Sequence, residues 1–181
     1  MNIENITFIE HSGGYSSRTR KNCSADATIC FSVNFNSSGT RLTRQSTIEQ
    51  GKLFIPLDGK NIIVTDERIN KINYLFEKHN VRTLHIAGNS LYSMDNLWTQ
   101  KEIDDFFFEL LQHISLTKDK SPRITTVYSG GQTGADEAGA KAAAKIGIPT
   151  IVLAPNGWKF RTKNGNDISN EVKFKNRFLF F

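Results

Sequence analysis

The sequence predicts an α/β protein, a three-layer sandwich with helices on both faces of a mainly parallel sheet. Two observations carry this. Short apolar runs rich in β-branched residues alternate with stretches of helical period, as repeated strand–helix units require. Several of the runs are apolar throughout rather than alternating, the pattern of strands covered on both sides. At 181 residues the chain has the size of one domain with a sizeable core, and residues 1–181 are read as one.

The elements follow in order. "ITFIE" (6–10) and "ATICFSV" (27–33) read as the first two strands, and a helix is expected after Gly39. "KLFIPL" (52–57) is the third strand. "DERINKINYLFEKHN" (66–80) is a helix, with Ile69, Ile72, Leu75 and Phe76 on one stripe and acidic residues at its start. "TLHIAG" (83–88) is the fourth strand. "TQKEIDDFFFELLQHI" (99–114) opens on a capping box, Thr99 to Glu102, and turns Ile103, Phe106, Phe107, Leu110 and Leu111 inward. "TKDKSPR" (117–123) resembles a linker. "ITTVYS" (124–129) and "TIVLA" (150–154) are the last strands, flanking an alanine-rich helix over 133–146 whose small face suits close packing on the sheet.

Composition narrows the classes. No apolar run approaches the roughly 20 residues of a membrane span, and the first ten residues carry no secretory signal. A cytoplasmic protein with no membrane contact is expected. Cys23 and Cys30 form no CxxC pair, and the four histidines form no HExxH-like group, so no metal and no cofactor is expected. The net charge of +5 favours an anionic partner. Lys159, Arg161, Lys163, Lys173, Lys175 and Arg177 crowd the C-terminal segment beside Trp158, Phe160, Phe174 and Phe178. That mixture suits a single-stranded nucleic acid, or equally a solvated surface over core aromatics. The apolar end, "RFLFF", is expected to bury Phe178, Leu179, Phe180 and Phe181 against a second subunit of a homo-oligomer.

Ligands of open parallel sheets sit beyond the carboxyl ends of the strands, which selects four loops: 35–43, 87–94, 129–137 and 154–161. In "SGGQTGADE" the backbone of Gly130 and Gly131 can approach a ligand, and a bulky residue at Gly131 is expected to fill ligand space. Thr133 and Asp136 have capping-box spacing. The pattern is neither GxGxxG nor a P-loop. Asp136 and Glu137, at the positive end of a helix and expected to be ionised there, would repel phosphate but accept ribose hydroxyls. The turn at Ser37, Ser38, Gly39 and Thr40, with Arg41 and Arg44 nearby and no carboxylate, is the better phosphate site.

These motifs resemble a family. "YSGGQTGADEAGAKAAAKIGIPTIVLAPNGW" (128–158) is similar to the opening of the molybdenum-cofactor carrier-like proteins, part of a Rossmann-like group that includes the cytokinin-activating phosphoribohydrolases and DprA. "YSSRTRKNCSADATICFSVNFNSSGT" (15–40) is similar to that family's later motif, so the two halves stand in swapped order, as in a circular permutation. The resemblance implies a Rossmann-like fold and a nucleotide-type site shared by both glycine turns. The residues it points to are Ser38, Gly39 and Thr40 in one turn and Ser129, Gly130, Gly131, Gln132, Thr133, Gly134 and Asp136 in the other. Arg18, Thr19 and Asn22 would reach toward the same pocket, with Tyr15 stacking on a base. Gly88 and Asn89, Asn156 and Trp158 are the candidates from the two remaining loops.

The phosphoribohydrolases carry P-G-G-x-G-T-x-x-E. Glu137 has the matching spacing from Gly130, but Ser129 replaces the proline and "TG" replaces "GT". Binding without cleavage of an ADP-ribose or cyclic ADP-ribose-like signal is therefore the leading expectation, by analogy with phage-encoded sponges that counter TIR-based defence. The alternative is a nucleotide hydrolase using Glu137, and a third is single-strand nucleic-acid binding.

Overall fold

The computed structural model describes residues 5–116 and 123–179. Its elements are β1 (Ile6–His11), α1 (Tyr15–Asn22), β2 (Ala27–Ser32), α2 (Ser38–Glu49), β3 (Leu53–Asp58), α3 (Asp66–Lys78), β4 (Thr83–Gly88), α4 (Gln100–Ile114), β5 (Thr126–Ser129), α5 (Ala135–Lys145), β6 (Thr150–Pro155), β7 (Lys159–Arg161), β8 (Asp167–Ser169) and α6 (Glu171–Asn176). The first six strands form one sheet in the order β1-β6-β5-β4-β2-β3, parallel throughout. The expected Rossmann-like α/β sandwich is the architecture found. Of the linker-like stretch 117–123, residues 117–122 lie outside the described residues.

One face of the sheet is hydrocarbon. Ala27, Ile29 and Phe31 of β2 and Leu84 and Ile86 of β4 pack against Ile72 and Phe76 of α3, the inward face of α4 and the alanines of α5. Phe31, Phe106 and Phe107 meet at centroid distances of 5.3–5.7 Å. Thr99 and Glu102 form the reciprocal capping box that starts α4. Gly139 lets α5 lie against β4: a Cβ there would stand 2.4 Å from Ile86 Cγ2. A second aromatic cluster joins Phe160, Phe174 and Phe178 to Phe8 on the β6 side.

That cluster corrects two expectations. Phe178 is buried within its own chain, 5.3 Å from Phe8 and 5.8 Å from Phe174 between ring centroids, not held for a neighbouring subunit. Leu179 is half-buried, and Phe180 and Phe181 lie outside the described residues. Phe160, Phe174 and Phe178 are interior side chains, so they form no stacking platform for nucleic acid.

The swapped motif order is visible in the sheet. β1 pairs in parallel with β6, from Ile6 with Thr150 to His11 with Pro155, so the last long strand is continued in space by the first. The two motif strands, β2 and β5, are not adjacent at a sheet edge: β4 runs between them. β2 leads through α2 to β3 on one side, whereas β4 leads to β5 on the other. The chain therefore reverses direction between β2 and β4, where such sheets open a crevice.

Candidate functional site

At that crevice lies a cavity of about 690 Å³, within the range of small-molecule sites. Both glycine turns reach it, one through Ser38, Gly39 and Thr40 and the other through Gly130, Gln132 and Asp136. Gly88 and Asn89 enter from the end of β4, and Asn156 from the turn after β6. α1 closes the side with Tyr15, Arg18, Thr19 and Asn22, positions that recur every three or four residues and so share one helix face.

That α1 face is polar although three of its residues are buried, so its inward direction left no apolar stripe in the sequence. Tyr15 is 55% exposed at the rim, Arg18 and Thr19 are buried below it, and Asn22 is 2% exposed. The Arg18 guanidinium donates to the carbonyl oxygens of Gly130 and Leu153, tying α1 to the ends of β5 and β6. The N-terminus of α2 is capped by Ser37, whose Oγ accepts from the Thr40 amide at 3.3 Å, rather than by Ser38 or Thr40. First-turn amides of a helix lack intrahelical partners and suit an anion.

The second turn departs from its expected detail. α5 begins at Ala135 with Gly134 as its N-cap, and Thr133 makes no capping bond; its Oγ1 donates to the Arg161 carbonyl at 2.9 Å. Ser129 Oγ donates to the Asp136 carbonyl at 2.7 Å and accepts from the Gly131 amide at 3.1 Å, which fixes the turn from beneath. Gln132 is bound through its side chain to Lys159 and Arg161 of β7. Ser129, Gly131, Thr133, Gly134 and Trp158 do not line the cavity. At Gly131, with φ of +73°, a Cβ would meet Phe174 Cζ at 2.5 Å and Val152 Cγ1 at 2.7 Å. A bulky residue there strikes the aromatic cluster, so it would damage the fold rather than occupy ligand space.

Asp136 and Glu137 diverge completely. Asp136 faces the cavity, and burial, offset in part by Arg18, pushes its carboxyl up to about 6, against the ionised state expected from the helix dipole alone. Glu137 points the other way. Its Oε2 accepts from Arg177 at 2.6 Å and its Oε1 from Lys141 at 2.6 Å, and Lys141 also pairs with Asp104 at 2.9 Å. Arg177 donates as well to the Gly131 carbonyl at 2.6 Å and lies over the rings of Phe160 and Phe174. With each carboxylate oxygen paired to a cation and 3% exposure, Glu137 is a structural ion-pair residue outside the cavity.

Among the lining residues that fall outside the four selected loops and outside α1 are Cys30 of β2 and His85 of β4. His85 Nδ1 lies 3.3 Å from Thr28 Oγ1 and 3.7 Å from Cys23 Sγ. Burial, assisted by the Arg18 charge, drops the imidazole to about 3, so it is neutral. Burial pushes the Cys30 thiol up to about 12, which removes it as a nucleophile. The available signal was a polar residue at alternate positions of otherwise apolar strands, with His85 in register with Thr28 and two places along from the partner of Cys30. Among the described residues no three His, Cys, Asp or Glu side chains gather as a metal would require, and no helix is long and apolar enough to cross a membrane.

A family comparison agrees with this geometry. The circularly permutated YpsA SLOG family, cpYpsA, matches residues 7–102, from β1 through β4 to the start of α4. The match includes α1 and the Ser37–Thr40 turn, whereas the Gly130 turn lies beyond it. No curated protein and no solved structure matches the chain. With more than half its length matched, and with β1 placed beside β6 as a permuted order requires, the chain belongs to the circularly permuted YpsA SLOG family.

Proposed function

We propose that the protein binds a nucleotide-type ligand of the ADP-ribose or cyclic ADP-ribose class in the cavity and holds it without cleavage. Membership of the family suggests nucleotide-related ligand binding or hydrolase-like function. The observation that carries the choice is the fate of the two carboxylates: Glu137, the residue at hydrolase spacing, is locked by Arg177 and Lys141 and does not reach the cavity. What remains is a binding surface. The first turn of α2 offers amides to phosphate, and Asp136 offers a carboxyl to sugar hydroxyls. Arg18 supplies a buried positive charge between the two turns. On this reading the protein is a sponge for an ADP-ribose-like signal, the role of a phage counter-defence protein.

Asp136 favours one competing reading. A carboxyl near 6 inside a cavity is suited to general acid catalysis of N-glycosidic cleavage. The test is incubation with ADP-ribose and cyclic ADP-ribose isomers, followed by heat release and chromatography. Intact ligand, at up to one equivalent per protein, is the expected result. Fragments accumulating beyond one equivalent, and absent from Asp136→Asn, would establish the hydrolase.

A further inference from the structure

We propose that the closed end of the cavity is a pocket for an adenine base, read on its edge by the carboxamide of Asn22, so that the nucleotide enters base first. The inference rests on the nucleotide reading above and fixes the orientation of the ligand within it.

Asn22 carries the argument. It lines the cavity and is 2% exposed, and its Oδ1 is buried without a hydrogen-bond partner. A buried amide oxygen without a donor is disfavoured, and native proteins rarely keep one unless something else supplies the donor. Its surroundings define the chemistry of that group. Cys30 is 1% exposed and His85 3%, and both are neutral; Thr43 and Thr19 complete the wall with hydroxyls. The one cation near them, Arg18, already donates to the carbonyl oxygens of Gly130 and Leu153, and burying a phosphate's charge beside neutral groups would be costly. A flat, neutral heterocycle with hydrogen-bonding edges meets every requirement.

The carboxamide selects among heterocycles. It presents an acceptor and a donor side by side, the complement of adenine's N6 amine and N7. The positions along α1 set the direction of the ligand. Asn22 and Tyr15 are seven residues apart, about 10 Å along the helix, with Arg18 between them. A base at Asn22 thus leaves ribose near Arg18 and Asp136, and phosphates at the mouth beside the α2 amides. Tyr15, at the rim, is then too far out to stack on the base.

Calorimetric titration of the wild-type protein with ADP-ribose, its hypoxanthine analogue, ribose 5-phosphate and adenosine tests the proposal. Hypoxanthine exchanges the N6 amine for a carbonyl, and at least a tenfold loss of affinity is expected. Adenosine should bind measurably by itself. Asn22→Asp keeps the shape but removes the amide donor, and should weaken ADP-ribose at least tenfold; the wild-type comparison of bases stands whether or not that variant folds. Equal affinity for the adenine and hypoxanthine ligands, or ribose 5-phosphate binding as tightly as ADP-ribose, overturns the base pocket and leaves the nucleotide reading intact. Adenosine binding without any affinity for the phosphorylated ligands supports the pocket and overturns the nucleotide reading. Binding of none of the four overturns both.

Discussion

Toward α3, α4 and α5, the strands β2 and β4 present Ala27, Ile29, Phe31, Leu84 and Ile86; toward α1 and α2 the same strands present Thr28, Cys30, Ser32, His85 and Ala87. The first set is buried among rings and methyl groups. The second set is met by Thr40 and Thr47, whose hydroxyls bind those of the strands, Thr40 Oγ1 with Ser32 Oγ at 3.1 Å and Thr47 Oγ1 to Thr28 Oγ1 at 3.2 Å. Hydrogen bonds fix directions and separations, whereas dispersion rewards any close contact. A polar layer can therefore hold walls apart, and the cavity lies on that side of the sheet. In this fold the hydrocarbon face and the cavity face are consecutive residues of the same strands.

The largest expected effect breaks the apolar face. Phe107→Ala should destabilise the protein by about 3–5 kcal/mol in urea denaturation, as other buried phenylalanine truncations do. Thr43→Val, on the cavity side, should change stability by less than about 1 kcal/mol, because it replaces a group that faces open space. Comparable losses from the two variants would mean that the polar face bears as much of the fold as the hydrocarbon one.

A second variant separates the neighbouring carboxylates. Glu137→Gln leaves the buried Arg177 and Lys141 undercompensated and should cost on the order of 3 kcal/mol. Ligand affinity per folded molecule should not change, since Glu137 lies outside the cavity. An affinity loss without a stability loss would return Glu137 to the site.

The smallest effect is a pH dependence. Asp136 holds its proton to about pH 6 in the folded protein, above the ordinary carboxylate value of 3.8, so stability falls as pH rises between these two values and the cost is fully expressed above the upper one. Asp136→Asn removes this cost, which is on the order of 2–3 kcal/mol when fully expressed. Relative to wild type, the variant should gain melting temperature at pH 8, and the gain should shrink by pH 5. A relative gain that grows toward pH 5 would show that the ionised carboxylate is stabilising. Asp104, pushed up to about 6 by burial despite Lys141, is present in both proteins and cancels from the difference.

Much of the fold was legible because its signals are local. The six long strands are apolar runs between turns, and α4 announces itself through a capping box and a wide apolar stripe. α1 was not legible as a helix: its buried residues, Arg18, Thr19 and Asn22, are polar, and an inward polar face reads as a loop. β7 and β8 are three residues each, too short for a period to emerge. Both glycine turns could be found by composition, and so could the residues of α1 through the family resemblance. Glu137 was placed in the alternative active site because spacing cannot show which side of a helix start a carboxylate takes. That choice is made by Lys141 one turn on, by Asp104 of α4 and by Arg177, which are distant in sequence and converge only in the folded chain.

The pairing of β1 with β6 also sets the order in which the molecule is completed during synthesis. β2, β3 and β4 have parallel partners among one another, within the first half of the chain. β1, translated before them, waits for Thr150–Pro155, and α1 waits for the carbonyls of Gly130 and Leu153 that Arg18 grips. Contacts of long sequence separation form late because loop closure opposes them. A chain translated only through β4 thus holds one wall of the cavity without the wall that faces it. The cavity can be complete only when β5 and β6 stand between β4 and β1.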